Sequence, residues 1–366
     1  MIYKDFKDIK LSTLGMGNMR LPVMEDVEGR PIDYDKAEEI IDYAMSKGVN
    51  YYDTAYVYHN GESETFLGKA MKKYARDSFY FATKFNLMAN PDYEAVFEEQ
   101  LSRLQTDYID FYLIHAVVDD NCDGYINCGC IEYFKEQKKN GRIKYLGFSS
   151  HASVDTLKRF ADCSDWDFAQ IQLNYYDWYY GNAKKEYEAL VERNLPIIVM
   201  EPVRGGRLAT LSSDASRILA DYNSNWNNPA WALRWVKSLP QVQVVLSGMS
   251  TLDQIKENIV TFEDDLVLDE KCQEVIAKAC DAFNKQMKVP CTACRYCTDD
   301  CPMKIDIPNF LEVYNRYKID GPWALGAMKD IKSRGTPKDC IGCGACMRHC
   351  PQGINIPKLI QELANA

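Results

Sequence analysis

The chain has 366 residues, and its 53 acidic side chains outnumber its 43 basic ones to give a net charge of −10. This balance argues against a nucleic-acid or anionic-membrane partner, because such contacts need clustered Lys and Arg. The 46% hydrophobic and 26% charged residues are typical of a globular protein, and no apolar run approaches the length of a membrane span.

The chain begins MIYKDF, without the basic start and apolar core of a secretory signal. A cytoplasmic location is therefore expected. Its 14 cysteines also suit a reducing compartment, in which unbridged thiols persist.

Residues 1 to about 283 alternate short β-rich runs with longer amphipathic segments, the pattern of βα units around a parallel sheet. The predicted strands, in chain order, are Leu11 to Gly17, Asn50 to Thr54, Phe79 to Lys84, Phe111 to His115, Tyr145 to Ser149, Phe168 to Asn174, Ile197 to Pro202 and Val242 to Gly248. The predicted helices between them are Lys36 to Lys47, Glu62 to Tyr74, Tyr93 to Leu104, Glu132 to Asn140, Val154 to Phe160, Lys184 to Arg193, Pro229 to Lys237 and Leu252 to Phe262. For the first helix we expect Asp35 as N-cap and Gly48 as the residue that ends it with a positive φ.

Strands and helices alternating in this number predict an α/β fold, a (β/α)8 TIM barrel over residues 1–283. Its chemistry would lie at the carboxyl ends of the strands. The alternative is an open, doubly wound sheet, which is disfavoured because no Gly-x-Gly-x-x-Gly follows the first strands.

Two cysteine runs near the carboxyl end share the spacing C-x2-C-x2-C-x3-C-P. They are Cys291, Cys294, Cys297 and Cys301, and Cys340, Cys343, Cys346 and Cys350. This spacing is typical of ligands to [4Fe-4S] clusters, and in two-cluster ferredoxins the fourth Cys of each run ligates the other cluster. Structural zinc also takes four thiolates, but zinc ribbons pair two C-x2-C knuckles without the third Cys and the Cys-Pro. The sequence therefore predicts two [4Fe-4S] clusters.

Residues 284–366, rich in Cys and Pro, predict a second domain that is small, mainly helical and ferredoxin-like. The spacer between the cysteine runs carries apolar-periodic stretches at Ile307 to Tyr317 and Trp323 to Ile331, more helix than a compact β-rich ferredoxin contains. Because exposed clusters degrade in air, we also expect an anaerobic or oxygen-protected setting.

Four polar residues stand at predicted strand ends, which converge on one mouth of a barrel. They are Asp53, Tyr58, Lys84 and His115. A phenol has an unperturbed pKa of about 10, and a nearby ammonium favours the phenolate and so eases release of the proton. We therefore predict that Tyr58 protonates a carbonyl oxygen while a hydride reaches the carbonyl carbon. Asp53 would hold Lys84 in place, and His115 would orient the carbonyl or relay a proton.

Beyond these four residues, the chain resembles the aldo-keto reductases in blocks that run in order through residues 1–283. The blocks are Asp53-Thr54-Ala55-x-x-Tyr58, Gly61-Glu62-Ser63-Glu64-x-x-Leu67-Gly68, Ala82-Thr83-Lys84, Leu113-Ile114-His115, Gly147-Phe148-Ser149-Ser150, Gln172-x-Asn174-Tyr175, Glu201-Pro202 with Gly205-Gly206, and Gly248 with Glu257-Asn258. The resemblance implies a (β/α)8 barrel that reduces a small-molecule carbonyl substrate with NADPH or NADH and no metal. It also implies catalytic roles for the four residues named above.

The same resemblance implies nucleotide contacts. Ser149, Ser150 and Gln172 would face the nicotinamide carboxamide, Pro202, Gly205 and Gly206 would line the pyrophosphate loop, and Ser250, Gln254, Glu257 and Asn258 would surround the adenosine. NADPH-preferring members usually place a Lys-Ser pair and a downstream Arg around the 2′-phosphate. This chain has Gly248-Met249-Ser250 and Gln254 there, so the expected cationic clamp is missing, which weakens the case for NADPH and leaves NADH, or a weakly held nucleotide, open.

An insertion after the fourth predicted strand carries three cysteines within nine residues, Cys122, Cys128 and Cys130. Related proteins place a substrate-covering loop at this point. No His or further Cys nearby completes a metal site, so we expect free thiols in a mobile lid.

The two predicted domains differ in electron count, because a nicotinamide gives up two electrons as a hydride and a [4Fe-4S] cluster passes one. One hypothesis is a flavin, or a substrate that holds a single electron, in a reductase linked to a ferredoxin- or flavodoxin-type partner; no flavin motif is visible. A second is that the clusters are structural or redox-sensing beside an ordinary carbonyl reductase. A third is that the barrel is a binding scaffold in an electron-transfer or redox-sensing subunit, which the complete set of four site residues disfavours.

Overall fold

The computed structural model of the chain describes residues 1–25, 27 and 29–366. The chain divides into two compact units, of which the first comprises Met1–Pro202 and Pro229–Asp269. The second comprises Val203–Asn228 and Glu270–Ala366. Segment 203–228, which the sequence assigned to the barrel domain, thus groups with the carboxyl-terminal region, and the boundary after residue 283 stays a prediction.

The first unit contains the strands of the described chain. They are β1 (Tyr3–Phe6), β2 (Ile9–Ser12), β3 (Leu14–Gly17), β4 (Tyr51–Asp53), β5 (Tyr80–Phe85), β6 (Ile109–Val117), β7 (Ile143–Ser150), β8 (Phe168–Gln172), β9 (Ile197–Met200) and β10 (Val242–Ser247). Strands β3 to β10 are parallel and close a barrel in the order β10-β3-β4-β5-β6-β7-β8-β9. The predicted (β/α)8 barrel is confirmed.

Helices follow most barrel strands and also build the carboxyl-terminal region. They are α1 (Tyr34–Ser46), α2 (Glu62–Met71), α3 (Tyr93–Leu104), α4 (Cys122–Asn127), α5 (Cys130–Lys139), α6 (Val154–Ala161), α7 (Tyr175–Tyr180), α8 (Ala183–Val191), α9 (Ser213–Tyr222), α10 (Asn228–Lys237), α11 (Leu252–Thr261), α12 (Glu270–Asn284), α13 (Tyr296–Asp299), α14 (Ile307–Asp320), α15 (Ala345–Arg348) and α16 (Ile356–Ala364). Short 3-10 segments cover Asn18–Arg20, Tyr58–Gly61, Arg76–Ser78, Arg204–Gly206, Pro322–Asp330 and Pro337–Asp339.

The start of α1 differs from the sequence prediction, whereas its end agrees. The N-cap is Asp33, whose carboxylate accepts a hydrogen bond from the Lys36 backbone N–H at 3.3 Å. The predicted cap, Asp35, is wrong: it lies inside the first turn, where an acidic side chain still interacts favourably with the helix dipole. Gly48 follows the helix with φ +83, as predicted.

The amino-terminal hairpin was missed, because the run from Leu11 to Gly17 was taken as one strand. The structure breaks this run at Thr13, so that β2 pairs antiparallel with β1 while β3 enters the barrel. Helices α4, α7, α9 and α12 were also missed, since they are additions to the simple alternation of strand and helix on which the prediction relied.

The hairpin covers the end of the barrel at which the strands begin. Phe6 on β1 packs against Phe111 and Tyr145, with ring centroids 5.4 and 5.1 Å apart. Both partners lie near the starts of β6 and β7, and all three rings are buried. Apolar side chains thus fill this end, so the polar residues at the strand carboxyl ends occupy the opposite one.

The second unit has its own apolar core. Ile307 and Leu311 on α14 and Ile356 and Ile360 on α16 belong to one buried cluster that also includes cysteines of both runs. The Tyr314 hydroxyl donates to Glu362 at 2.6 Å and ties the same two helices together. Across the described residues of both units, no helix combines the length and apolarity needed to cross a membrane.

Candidate functional site

Four predicted site residues meet at the carboxyl ends of adjacent barrel strands. Asp53 ends β4, Lys84 lies at the end of β5, and His115 lies late in β6. Tyr58 opens the 3-10 turn that follows β4. Parallel pairing of β4 with β5 and of β5 with β6 places these ends side by side. The structure therefore brings all four together.

A buried ion pair forms the base of the site. Lys84 Nζ lies 2.6 Å from Asp53 Oδ1 and donates a second bond of 2.6 Å to the Thr54 carbonyl oxygen. The side chains are only 1% and 4% exposed. Burial lowers the pKa of Lys84 and raises the pKa of Asp53, and attraction between the two charges opposes both shifts. The ammonium is therefore fixed in position by its partners.

Tyr58 lies against that ammonium. Its ring centroid is 5.1 Å from Lys84 Nζ, and its ring meets the His115 ring edge to face with centroids 5.9 Å apart. The turn that carries Tyr58 continues through His59, Asn60 and Gly61, which all have positive φ, of 50°, 56° and 88°. Backbone of this kind costs energy at non-glycine residues, and it is found where function fixes a loop.

His115 is a neutral imidazole at this site. Burial, the Lys84 ammonium and His151 lower the pKa of His115 well below its usual range. Its Nδ1 atom is buried and has no hydrogen-bond partner among the described residues. A neutral imidazole can donate or accept a hydrogen bond but is a poor source of a proton near pH 7.

A second layer of polar residues behind Lys84 was not assigned a role from the sequence. The fully buried Glu64 carboxylate on α2 accepts hydrogen bonds from Thr83, from Gln100 at 2.7 Å and from Arg103 at 3.1 Å. Gln100 also donates to the Lys84 carbonyl oxygen at 3.1 Å, which ties this layer to β5. Glu64 belongs to the sequence block Gly61 to Gly68 that resembles the aldo-keto reductases. The sequence therefore marked this residue, but it could not show which side chains Glu64 contacts.

The residues predicted at the nicotinamide lie at the ends of β7 and β8. Ser149 Oγ accepts from the Ala116 N–H at 2.8 Å, next to His115. Gln172 Nε2 donates to Asp177 Oδ2 at 2.7 Å. Asp177 is therefore a partner that the sequence analysis missed, although it stands three residues after Asn174 in the pattern of a helix N-cap.

The residues predicted at the adenosine gather near the start of α11. Gln254 Oε1 accepts from the Ser250 N–H at 2.7 Å, and Ser250 Oγ donates to the Arg20 carbonyl oxygen at 2.6 Å. Asn258 Nδ2 donates to Ser247 Oγ at 3.0 Å. Arg20 thus lies beside the segment in which the sequence showed no cation, and Gly248 faces its side chain.

The remaining residues predicted to contact the nucleotide are divided between the two compact units. Glu257 lies on α11 and Pro202 directly follows β9 in the first unit. Gly205 and Gly206 belong to the second unit, where they have positive φ of 62° and 94°. The roles of all these residues stay predictions.

The cysteine-rich insertion after β6 is not an open loop. Cys122 is 1% exposed on α4, and Cys130 is fully buried at the start of α5. The expectation of free thiols agrees with the structure, in which these cysteines are unbridged. The segment forms two helices with Cys122 and Cys130 buried, and the expectation of a mobile lid stays a prediction.

The eight cysteines of the carboxyl-terminal runs line two cavities of the second unit. One is lined by Cys291, Cys294 and Cys297 together with Cys350, and the other by Cys340, Cys343 and Cys346 together with Cys301. The fourth cysteine of each run therefore faces the other run, as the spacing predicts. Within the described residues, no three Cys, His, Asp or Glu side chains are placed for a single metal ion. Each set of four thiols instead lines a cavity. This arrangement suits a four-iron cluster, in which each thiolate binds a different iron.

The backbone of both cysteine runs repeats one conformation. Positive φ occurs at Ala293 and Arg295 in the first run and at the equivalent Gly342 and Gly344 in the second. Such turns point successive N–H groups into a concavity that suits an anion, and the Ala293 N–H donates to Cys291 Sγ at 3.4 Å. A [4Fe-4S] cluster with four thiolates is anionic, so the residues present suit it.

Two arginines from segment 203–228 lie beside the first cavity within the second unit. Arg204 is 1% exposed, and its guanidinium donates to the Pro290 carbonyl oxygen at 3.1 Å, directly before Cys291. Arg207 forms an ion pair with Glu312 on α14. Burial raises the pKa of Cys291, whereas the Ala293 N–H and the positive charges of Arg207 and Arg204 lower it.

Comparisons with known proteins agree with this architecture. The aldo/keto reductase family matches residues 13–279, and a 4Fe-4S dicluster domain matches residues 290–354. The uncharacterized oxidoreductase YqkF of Bacillus subtilis (strain 168) is 26% identical over 286 residues, which cover 69% of this chain and 87% of that protein. The NADH-specific methylglyoxal reductase of Escherichia coli (strain K12) is 25% identical over 311 residues, covering 71% of this chain and 92% of that one.

Among solved structures, the holo form of an aldo-keto reductase from Bacillus halodurans is 27% identical. It superposes with a TM-score of 0.64 and covers 76% of this chain and 96% of that one. Together these matches describe an NAD(P)-dependent oxidoreductase whose carboxyl-terminal region is a 4Fe-4S dicluster domain.

The crossed placement of the fourth cysteines predicts which cluster each substitution damages. Cys301→Ala should disturb the cluster of the second run, and Cys350→Ala that of the first, because each removes a ligand supplied across the unit. Mössbauer and EPR spectra of the anaerobically purified variants would test this assignment. Damage by Cys301→Ala to the first cluster alone would contradict it, and Cys163→Ala, outside both runs, is the control.

The positive charges of Arg204 and Arg207 should raise the reduction potential of the cluster bound by the first cysteine run. Arg204→Met and Arg207→Gln each remove a positive charge near Cys291, so the first cluster should become harder to reduce and its potential more negative. The second cluster should be unaffected, and Arg217→Gln on exposed α9 should change neither. EPR-monitored redox titration resolves the two clusters. An unchanged first potential in both variants would show that these charges are compensated.

Proposed function

We propose that this chain, which belongs to the aldo/keto reductase family, reduces an aldehyde or ketone with Tyr58 as the proton donor. The observation that carries the proposal is the contact of Tyr58 with a buried ammonium, 5.1 Å from its ring centroid. Bound NADH or NADPH would supply the hydride. The residues of the chain then have to orient the carbonyl, supply one proton and stabilise the charge that remains.

Tyr58 suits proton donation because Lys84 stabilises the phenolate that donation leaves behind. Lys84 can do this only while it keeps its charge, which its 2.6 Å bonds to Asp53 and to the Thr54 carbonyl favour. Asp53 therefore acts through Lys84 and need not touch the substrate. Glu64 adds a further negative charge that favours the ammonium.

His115 has a different role in this proposal. Because its imidazole is neutral, it can offer an N–H to the carbonyl oxygen and hold that oxygen near the Tyr58 hydroxyl. The negative charge that develops on the carbonyl oxygen is then stabilised by hydrogen bonds from His115 and Tyr58. Only Tyr58 transfers its proton. The edge-to-face contact of the two rings, at 5.9 Å, supports their acting on one atom.

The nicotinamide contacts proposed for Ser149, Ser150 and Gln172 are supported by their position at strand ends next to His115. Asp177 accepts from Gln172 Nε2 at 2.7 Å, which orients the Gln172 amide at the end of β8. The remaining contacts carried over from the resemblance belong to the same proposal.

The clusters would pass single electrons and the barrel would move electrons in pairs. We propose two [4Fe-4S] clusters in the crossed cavities, fed by or feeding a one-electron partner of the ferredoxin or flavodoxin type. The alternative is an electron-transfer or redox-sensing subunit with the barrel as a scaffold. A visible spectrum of the anaerobic protein would separate cluster absorbance alone from cluster plus flavin bands.

Tyr58→Phe tests the proposed proton donor. Removing the hydroxyl should lower kcat for NAD(P)H-dependent carbonyl reduction by roughly 10²- to 10⁴-fold, the usual contribution of a general acid. Cluster spectra should not change, because the hydroxyl lies in the other compact unit. The assay is anaerobic oxidation of NADH and NADPH against aldehydes, ketones, sugars and quinones, with methylglyoxal included.

Tyr56→Phe is the matched control for that variant, since its hydroxyl bonds to Glu99 on α3 at 2.8 Å and not to the site. It should retain most of the activity. Undiminished turnover in Tyr58→Phe would reject Tyr58 as the acid. Reduction of an electron carrier by the clusters with no carbonyl turnover in the unaltered chain would favour the scaffold alternative.

Nucleotide preference tests the adenosine site. The absence of a Lys-Ser pair at 248–250 predicts that NADPH binds no more than modestly better than NADH. Arg20 is the cation nearest to that segment in the contacts described above, so Arg20→Gln should weaken NADPH binding more than NADH binding. Dissociation constants from fluorescence titration would measure both. A hundredfold preference for NADPH that survives Arg20→Gln would contradict this reading.

A further inference from the structure

We propose that Cys128 and Cys130 form a reversible dithiol site, oxidised by small disulfides, beside the proposed reductase site. The two residues flank Gly129, so that the chain reads Cys-Gly-Cys at the junction of α4 and α5. Neither lies in the carboxyl-terminal runs, and the proposed reduction does not use them.

The two thiols share their surroundings. Cys128 Sγ and Cys130 Sγ both donate to the Tyr125 carbonyl oxygen, at 3.6 and 3.7 Å. Gly129 has φ +88 between them, a conformation that favours glycine and turns both side chains toward the same carbonyl. A disulfide needs a sulfur–sulfur bond of about 2.05 Å, and the shared acceptor places both thiols on the same side of this turn.

Cys128 and Cys130 differ in solvent exposure, and this difference predicts different roles for them in the oxidation. Cys128 is half-buried, whereas Cys130 is fully buried. Burial also raises the pKa of the Cys130 thiol. A reagent therefore meets Cys128 first, and Cys130 completes the bridge from within the protein.

The chemistry balances with a small disulfide as oxidant. Cys128 Sγ attacks one sulfur of the reagent, and the other sulfur leaves as a thiol that takes up the proton of Cys128. Cys130 Sγ then displaces the bound half of the reagent, which leaves as a second thiol with the proton of Cys130. The protein has lost two electrons to form one disulfide, and the reagent has gained two to form two thiols.

The dithiol is linked to the proposed catalytic histidine through one residue. Tyr125 is fully buried, and its hydroxyl donates to the His115 carbonyl oxygen at 2.6 Å and accepts from the Leu87 N–H at 3.2 Å. Oxidation removes both S–H donors from the Tyr125 carbonyl. We therefore expect His115 to lose part of its support, an effect on turnover that rests on the proposed function.

The test maps thiols in the full-length protein with its clusters, under anaerobic conditions. Oxidised glutathione is added as the probe, free thiols are blocked with iodoacetamide, and proteolytic peptides are sequenced by mass spectrometry. The expected result is a disulfide between Cys128 and Cys130 that dithiothreitol reverses. Cys128→Ser should abolish it, and Cys163→Ser, which removes an exposed cysteine elsewhere on the barrel, should leave it intact.

Other outcomes would overturn the site. The proposal would be contradicted if both thiols were still alkylated at every glutathione ratio. It would also be contradicted by a stable glutathione adduct on Cys128 or by a disulfide between Cys122 and Cys163. In the unaltered protein, carbonyl reduction should fall several-fold on oxidation and recover with dithiothreitol, and Cys128→Ser should be insensitive. If the protein shows no carbonyl reduction at all, the proposed function fails while the peptide map still decides the dithiol.

Discussion

The buried ion pair between Asp53 and Lys84 is the interaction on which the rest of the barrel site depends. Placing either charge alone in this interior would cost several kcal/mol, so neither residue stays charged there without the other. Parallel pairing of β4 and β5 brings the two together at 2.6 Å. The ammonium so fixed gives Tyr58 its electrostatic environment and contributes to keeping His115 neutral.

Strained backbone occurs at several places in this protein where chemistry is expected. Non-glycine residues with positive φ include His59 and Asn60 after Tyr58, Ala116 after His115, and Ala293 and Arg295 among the cluster cysteines. Each such residue costs of the order of 1–3 kcal/mol, which the surrounding packing has to offset. In the barrel these turns aim side chains, and in the cysteine runs they aim N–H groups. The same kind of backbone thus shapes the proposed proton-transfer site in one unit and the proposed cluster sites in the other.

The two compact units suit different kinds of redox chemistry. The barrel suits transfer of an electron pair as hydride, and the dicluster domain suits single electrons. Segment 203–228 is instructive, because it follows a barrel strand in sequence yet packs with the cysteine-rich region and brings Arg204 and Arg207 to the first cavity. A segment that follows a barrel strand in the sequence thus lies beside a proposed cluster site.

The sequence by itself determined the features that depend on local pattern. Alternating strands and helices predicted the barrel, cysteine spacing predicted two clusters with crossed fourth ligands, and strand-end positions predicted that Tyr58 and Lys84 would be neighbours. The barrel, the placement of Tyr58 beside Lys84 and the position of each fourth cysteine at the other run's cavity agree with the structure, because periodicity and spacing act over a few residues. The N-cap of α1 was misplaced by two residues, since only the hydrogen bond to Lys36 distinguishes Asp33 from Asp35.

Only the tertiary structure decided which distant residues meet. It placed Arg20 beside Ser250, folded the cysteine-rich insertion into two helices whose Cys128 and Cys130 thiols share the Tyr125 carbonyl oxygen, and joined Glu64 to the strand that carries Lys84. Such contacts depend on how elements pack across the barrel, and a side chain's partner across that distance leaves no periodic signal in the chain.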